Sequence, residues 1–213
     1  IGTNNRVCAF DTSMKSLKIG NNFAKVSNIK NINFIRGDIF DEIFQEEIFD
    51  FVLCNGVLHH TKNPSKAFSN ITRCLKKEGY ILVGLYNKIG RFRTKFRKIL
   101  YKIFGKNLII LLDPVLRKIG IKSKDKIEAW IRDQYEHPVE STHTFDEVLQ
   151  WFDNNNIEFI DSIPKCSFNI GEESFFEKSS KETYIERIFQ QLFMILSKLG
   201  SEGGLFIFIG KRK

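Results

Sequence analysis

Short apolar segments alternate with helix-like patterns along the first 86 residues, and this alternation most constrains the fold. The segments are "RVCAFD", "INFIRGD", "FDFVLCN" and "YILVGLY". Strands that are apolar on both faces are typical of a parallel sheet covered by helices. We therefore predict an α/β fold, with one helix over about 13–26 and a second that starts at Pro64 and ends at "KKEG".

Three of these segments end in a carboxylate or an amide. Asp11 and Asp38 follow the first two strands, and Asn55 ends the third. Ligands of open parallel sheets bind beyond the carboxyl ends of the strands. We therefore expect these three side chains to meet at one edge and to contact a ligand.

The pattern changes after Tyr86 and resumes near residue 144. Helices with a loop at "LLDP" are expected over about 90–132, followed by a helix capped by Thr144 and a strand at Ile157–Pro164. A helix over about 181–199 and a final strand, "GGLFIFIG", complete the pattern. We predict three segments: 1–86, a basic helical insertion at 87–143, and 144–213, which completes the sheet.

The four cysteines lack the spacing of a metal site or a disulfide framework. Cys8, Cys54, Cys74 and Cys166 are scattered, and apolar surroundings favour free, buried thiols. We expect no metal, because His137 and His143 have no third ligand. The sequence contains no secretory signal and no apolar run of membrane-spanning length, so we predict a cytoplasmic location, with peripheral membrane association as an alternative.

The motifs "VCAFDTS", "INFIRGDIFD", "FDFVLCNGVLHHT" and "CLKKEGYILVGLYN" together resemble class I S-adenosylmethionine-dependent methyltransferases. The resemblance is strongest to the type 11-like, quinone-biosynthesis branch; it covers 6–86 well and 157–211 more loosely. It implies a Rossmann-like, doubly wound, mostly parallel sheet with helices on both faces and a helical insertion. The first strand and glycine-rich loop of the family have no counterpart before Arg6, so we expect a truncated N-terminus and weakened cofactor binding by this chain alone.

The resemblance also implies roles for individual residues in binding S-adenosylmethionine. Asp11 would accept hydrogen bonds from the ribose hydroxyls, because a carboxylate offers two acceptor oxygens to a diol. Asp38 would bind the adenine amine. The other implied cofactor contacts are Thr12, Ser13, Ile39, Asn55 and Gly56. The alternatives are that Asp11 caps the following helix and that Asp38 is a loop acid.

Other residues would face the methyl acceptor. His60 is the candidate catalytic base, and the implied substrate-binding residues are His59, Tyr86, Tyr135 and His137. The alternative is structural: one histidine packs under a helix and the other bonds to the backbone, since methyl transfer often needs only alignment. We expect Gln134, Tyr135, His137, Glu140 and His143 to lie in one loop, which either recognises the acceptor or anchors a lid.

All of the net charge of +8 belongs to residues 88–106. This segment has eight Lys or Arg and no acid, whereas the rest of the chain has 25 basic and 25 acidic residues. Its apolar residues recur at helical spacing, which predicts an amphipathic helix. The helix either roofs the acceptor site with its apolar side packed on the domain, or docks on anionic lipid or a phosphorylated substrate. No nucleic-acid-binding motif accompanies the charge, so we expect no nucleic-acid partner.

The combined pattern predicts methyl transfer from S-adenosylmethionine to a small-molecule or lipid-like acceptor. The alternatives are a catalytically silent binding protein, a peripheral membrane protein and a nicotinamide-dependent oxidoreductase, which also places an acid after its second strand. The sequence leaves the acceptor and the oligomeric state open.

Overall fold

A computed structural model describes residues 4–119, 123–165, 183–196 and 204–213 of the chain. The chain divides into two compact units, Ile1–Gln45 and Glu46–Lys213. The predicted boundaries at residues 86 and 143 stay a prediction.

The N-terminal unit is a βαβ arrangement. It consists of β1 (Val7–Asp11), α1 (Met14–Val26) and β2 (Ile32–Arg36), and the two strands are parallel, with Asp11 opposite Arg36. Helix α1 begins after Ser13, whose side chain accepts a hydrogen bond from the backbone N–H of Ser16. This capping satisfies one of the free N–H groups at the start of the helix.

The C-terminal unit contains a four-stranded mixed sheet. Its strands are β3 (Phe49–Asn55), β4 (Leu75–Tyr86), β5 (Ile157–Ile163) and β6 (Leu205–Arg212), in the spatial order β3-β4-β6-β5. Strand β6 is antiparallel to both of its neighbours, while β3 and β4 are parallel. Three of the four strands therefore run in one direction, which confirms the predicted α/β class with a mostly parallel sheet.

Helices connect these strands as the sequence predicts. They are a 3-10 turn (Leu58–His60), α2 (Pro64–Arg73), α3 (Phe92–Phe104), α4 (Lys106–Leu112), α5 (Pro114–Ile119), α6 (Lys124–Tyr135), α7 (Phe145–Asn154) and α8 (Tyr184–Leu196). Thr144 caps α7, as predicted. The two ends of the helix predicted over 181–199 lie outside the described residues. None of the described helices is both long and apolar enough to span a bilayer.

The predicted end of α2 at "KKEG" is wrong. Helix α2 ends at Arg73, and Leu75 already begins β4. Lys76 forms an ion pair with Asp50 of β3 at 2.8 Å, and Glu78 has a positive φ of 62° within an irregular stretch of β4. The charged residues of "KKEG" fit the start of a strand as well as the basic end of a helix. The sequence alone therefore did not distinguish these two structures.

Aromatic side chains fill the core between α7 and the sheet. Phe145 and Phe152 of α7 are fully buried, as are Phe206 and Phe208 of β6. The Phe145 and Phe206 rings lie 4.9 Å apart, and Phe152 and Phe208 meet edge to face at 6.0 Å. Such pairs stabilise the core beyond the burial of their area.

Helices α3 to α6 lie within the segment predicted as an insertion, and they have a small core of their own. It consists of Ile109, Leu116, Ile127, Ile131 and Tyr135. The loop predicted at "LLDP" is a single residue, Asp113, which separates α4 from α5. Asp113 is almost fully buried and accepts hydrogen bonds from Val115 N and Trp130 Nε1.

Two further expectations for the insertion are wrong. Gln134 and Tyr135 lie in the last turn of α6 and not in a loop. The apolar side of α3 does not pack on the domain: its larger apolar residues are more than half exposed, namely Phe92, Phe96, Ile99, Ile103 and Phe104. Leu100, Tyr101 and polar residues such as Thr94 occupy the inner side of this helix instead.

The cysteines behave largely as expected. Cys54 and Cys74 are buried free thiols, whereas Cys8 is only half-buried, and Cys166 lies outside the described residues. Burial raises the pKa of Cys54 to about 12.

A buried ion pair anchors the insertion. Arg91, just before α3, is fully buried and donates from Nε and Nη2 to the two carboxylate oxygens of Glu140, both at 2.8 Å. Its Nη1 donates to Gln134 Oε1 at 3.0 Å, and Lys98 Nζ donates to Glu140 at 2.7 Å. Burial acts to raise the pKa of Glu140, but Arg91 and Lys98 outweigh it and lower that pKa to about 2.

We expect Glu140→Gln to reduce the free energy of unfolding by about 3–5 kcal/mol at neutral pH, because it leaves the Arg91 charge buried without its counter-ion. The folded-state pKa of Glu140 is depressed, so the pair stabilises fully above pH 4.5 and loses this effect as the pH falls toward about 2. The difference between wild type and variant in urea unfolding should shrink over that window.

The matched control is Glu78→Gln, because Glu78 pairs with Lys211 but its side chain is 72% exposed. Exposed pairs contribute roughly 0–1 kcal/mol. Equal losses in the two variants would contradict an anchoring role for the buried pair.

Candidate functional site

The N-terminal unit brings two predicted cofactor residues to one edge. Asp11 ends β1, and Asp38 follows the end of the parallel neighbour β2 by two residues. The backbone N–H of Gly37 donates to the carbonyl oxygen of Asp11 at 3.2 Å, which holds the two strand ends together. The expectation that both acids lie beyond neighbouring strand ends therefore agrees with the structure.

Each of these acids uses one oxygen for local structure. Asp11 Oδ1 accepts from Ser13 N at 2.7 Å, and Asp38 Oδ1 accepts from Phe40 N at 3.0 Å. Within the described ranges, neither Oδ2 has a partner. Asp11 thus bonds at the start of α1 and Asp38 bonds within its loop, as the two structural alternatives expected. The half-buried Asp11 still has a free acceptor oxygen, which fits a ribose diol.

The flanking residues have mixed positions. Thr12 is exposed and its carbonyl oxygen accepts from Arg36 Nε at 3.2 Å. The Ser13 hydroxyl oxygen accepts a backbone N–H of α1, and Ile39 is half-buried. Their cofactor contacts stay a prediction.

The C-terminal unit contains the remaining predicted cofactor residues at the end of β3. Gly56 adopts φ +76°, and a Cβ at this position would meet no atom within 4 Å. A Cβ on Gly84 of β4 would lie 1.8 Å from Asn55 Oδ1, so the Asn55 amide occupies the space above this glycine. The end of β3 is therefore an open backbone turn beside an exposed amide.

His59 is enclosed by other side chains. It is fully buried, its ring lies 3.9 Å from the ring of Tyr86, and neither of its nitrogens has a hydrogen-bond partner in the described part of the chain. Burial, together with His60 and the Arg91 charge, lowers its pKa to about 3, so His59 is neutral. A packing role fits this geometry better than substrate contact, which stays a prediction.

His60 is half-buried and bonded to the backbone on one side only. Its Nδ1 lies 3.0 Å from the carbonyl oxygen of Val139, an acceptor that requires a hydrogen on Nδ1. In the neutral ring, Nε2 then has a free lone pair, and no described residue donates to it. Burial lowers the pKa of His60, and His137 acts in the same direction.

His137 lies beside His60. The two rings are 3.8 Å apart, and His137 Nδ1 also lies 2.6 Å from the carbonyl oxygen of Val139. His143, in contrast, is buried and bonds to Glu147 and Ser141. The described residues contain no group of three potential ligands that could hold a metal ion.

The two predicted tyrosines have different surroundings. Tyr86 is buried at the end of β4, its hydroxyl oxygen accepts from Gln134 Nε2 at 2.9 Å, and Arg91 lies 3.5 Å above its ring. Tyr135 belongs to the insertion core and donates to Asp113 Oδ2 at 2.5 Å. Its substrate role stays a prediction without a supporting contact.

Sequence reasoning missed the part that Arg91 and Val139 play in this cluster. Arg91 appeared as one of eight basic residues, and nothing in the local sequence sets it apart. The available signal was its position shortly after the strand "YILVGLY", since residues that follow a strand end lie near the ligand edge.

Comparison with known proteins identifies the family. A family model described as a methyltransferase domain matches residues 1–134, more than half of the chain. An uncharacterized protein of Methanocaldococcus jannaschii, MJ1123, is 29% identical over 114 residues, which are 49% of this chain and 54% of that protein. A demethylmenaquinone methyltransferase of Staphylococcus saprophyticus is 26% identical over 62% of this chain and 52% of its own length. The chain thus spans about half the length of these relatives.

Solved structures agree on the fold. The structure of PKMT2 from Rickettsia typhi matches with a TM-score of 0.64 at 13% identity, over 98% of this chain and 44% of that one. At this identity the similarity concerns the fold alone. The family match confirms the predicted resemblance and S-adenosylmethionine as the class of cofactor, while the quinone branch stays a prediction. The chain belongs to the methyltransferase-domain family.

Proposed function

We propose that the intact protein transfers a methyl group from S-adenosylmethionine to a small or lipid-like acceptor with an aromatic hydroxyl group, and that His60 is the base. The observation that carries the proposal is the single-sided bonding of His60, which leaves Nε2 available. Membership of the methyltransferase-domain family supplies the reaction class.

In the N-terminal unit, Asp11 would bind the ribose hydroxyls and Asp38 the adenine amine, with Ile39 against the ring. The free Oδ2 of each acid supports these roles. When bound, S-adenosylmethionine supplies a methyl group on a sulfonium sulfur, which is electrophilic without further activation. The chain therefore has to position the partners and to remove one proton.

In the C-terminal unit, His60 would accept that proton at Nε2. Val139 holds the ring in the required tautomer, and the lowered pKa keeps it unprotonated at neutral pH. Removing the proton of an aromatic hydroxyl raises the electron density on the oxygen and on the ring carbons. The same base thus serves methyl transfer to oxygen or to carbon.

The acceptor class rests on two arguments. A histidine base removes a proton from an aromatic hydroxyl, such as that of a hydroquinone, more readily than from an aliphatic one, because the aromatic hydroxyl is the stronger acid, with a pKa of about 10. The demethylmenaquinone methyltransferase of Staphylococcus saprophyticus is a relative whose name indicates a quinone-type acceptor.

Replacement of Asp11 by Asn in the intact protein should weaken binding of S-adenosylhomocysteine roughly 10- to 100-fold, because hydrogen bonds to a charged acceptor contribute about 1.5–3 kcal/mol. Isothermal titration calorimetry measures the change. Asp41→Asn is the matched control, because Asp41 is an exposed acid of the same unit. Unchanged affinity in D11N would remove the ribose assignment.

For His60, the expected result is a loss in catalytic rate without a loss in cofactor affinity. His60→Gln should lower kcat by roughly 10²–10⁴-fold, the usual contribution of a general base. Release of S-adenosylhomocysteine, with a short-chain hydroquinone as probe acceptor, measures the rate. His137→Gln is the control: it should alter KM more than kcat, since it leaves Nε2 of His60 in place.

The pH dependence separates a base from a structural residue. The wild-type rate should rise with pH through the pKa of His60, which lies below the ordinary histidine value of about 6.5, and stay level above it. H60Q should lack this limb. Cofactor binding without methyl transfer to any hydroxylated acceptor would instead support the silent binding protein.

A further inference from the structure

Helix α3 exposes most of its large apolar side chains, while Leu100 and Tyr101 pack against the core of the insertion. Its outer stripe, which we define as Phe92, Phe96, Ile99 and Ile103, recurs at spacings of four, three and four residues and therefore forms one face. These side chains are 63%, 56%, 55% and 65% exposed. A contiguous apolar patch of this kind on a soluble unit marks an interaction surface.

Polar contacts on the inner face prevent the helix from turning this stripe inward. Thr94 is buried and accepts from Arg97 Nη2 at 3.1 Å, while Lys98 bonds to Glu140. Lys95 Nζ donates to Thr142 Oγ1 at 3.0 Å, on the same return segment as Glu140. Rotation of α3 by half a turn would break the Lys98–Glu140 and Lys95–Thr142 bonds, which join α3 to this return segment.

Cations flank the outer stripe, and no acid interrupts them. Lys88, Lys102 and Lys106 are exposed, and none of their side-chain ammonium groups has a hydrogen-bond or ion-pair partner among the described residues. Arg93 lies on the far side of the stripe from Lys102, at helical spacing. Aromatic and aliphatic side chains in the centre with lysines at the rim are typical of a helix that lies in a membrane interface.

We propose that the outer stripe docks this protein on the surface of a bilayer that contains anionic lipids. The 13 residues of α3 form a helix about 20 Å long, which would lie parallel to the surface. Phe92, Phe96, Ile99 and Ile103 enter the boundary between headgroups and acyl chains, and the lysines remain at the level of the lipid phosphates. The proposal is independent of the methyl acceptor.

Charge favours a lipid surface over a second copy of the chain. In a symmetric dimer across the stripe, Lys88, Lys102 and Lys106 of both copies would approach one another without any acid from the 88–106 segment to compensate them. An anionic surface offers the opposite charge to all of these lysines at once.

The experiment is co-sedimentation of the full chain with vesicles of phosphatidylcholine alone or with about 30% phosphatidylserine. We expect binding to the anionic vesicles only, and a clear loss as salt shortens the range of the attraction. The double variant Phe96→Ala, Ile103→Ala should bind at least tenfold more weakly. The triple variant Lys88→Gln, Lys102→Gln, Lys106→Gln should lose roughly fivefold per lysine.

The matched control is Ile185→Ala, Phe189→Ala on α8, where two apolar side chains that are 64% and 50% exposed lie four residues apart and neighbour Glu186. This control should bind like wild type. Since all replaced side chains are exposed, the unfolding midpoints of the variants should match that of wild type, which excludes misfolding as the cause of lost binding.

Three results would overturn the proposal. One is equal binding to neutral and anionic vesicles, and another is an unchanged affinity in F96A/I103A. The third is absence of vesicle binding combined with a concentration-dependent dimer in analytical ultracentrifugation that F96A/I103A abolishes, which would assign the stripe to a second copy.

Discussion

The ion pair between Arg91 and Glu140 is the interaction on which the C-terminal unit depends. A guanidinium without solvent contact must have its charge and its N–H groups satisfied by protein, and Glu140 supplies both oxygens at 2.8 Å while Gln134 supplies a third acceptor. The pair therefore joins the start of α3, the last turn of α6 and the segment that returns to the sheet. Lys98 of α3 donates to the same carboxylate, so this cluster also fixes the rotation of α3.

The fixed position of Glu140 has two consequences. The first is the outward position of the apolar stripe, because the polar inner face is already engaged by Glu140 and Thr142. The second concerns His60, since its backbone partner Val139 precedes Glu140 directly. A pair that positions Glu140 also positions the carbonyl group that sets the tautomer of His60. The surface that we propose for membrane docking and the candidate base thus depend on the same ion pair.

Much of the fold could be predicted from local sequence, because strand and helix signals are local. The bounds of β3 and the cap of α7 follow from "FDFVLCN" and from Thr144, and the two acids at the ends of β1 and β2 follow from strand ends in a parallel pair. The start of β4 was not predictable in this way: Lys76 contributes to the strand through Asp50, which is distant in sequence.

The candidate residues of the site could be predicted from the sequence, but the contacts between them could not. The motif "GVLHHT" identified the two histidines, yet the partner of His60 lies 79 residues away along the chain, and that of Arg91 lies 49 residues away. Helical periodicity likewise predicted an apolar face on α3 without indicating which way it points. Only the long-range polar contacts decide that direction.

The adjacent histidines His59 and His60 have different surroundings, and these surroundings favour a packing role for one and proton transfer for the other. His59 is fully enclosed beside Tyr86 and close to the Arg91 charge, and a second positive charge there would be unfavourable, so its pKa falls to about 3. His60 points to a backbone carbonyl and keeps partial access to solvent, so its pKa falls less far. Between pH 5 and 8 His59 does not change its charge. Within this pair, the proposed proton-transfer role therefore fits His60, and the ring of His59 packs against the ring of Tyr86.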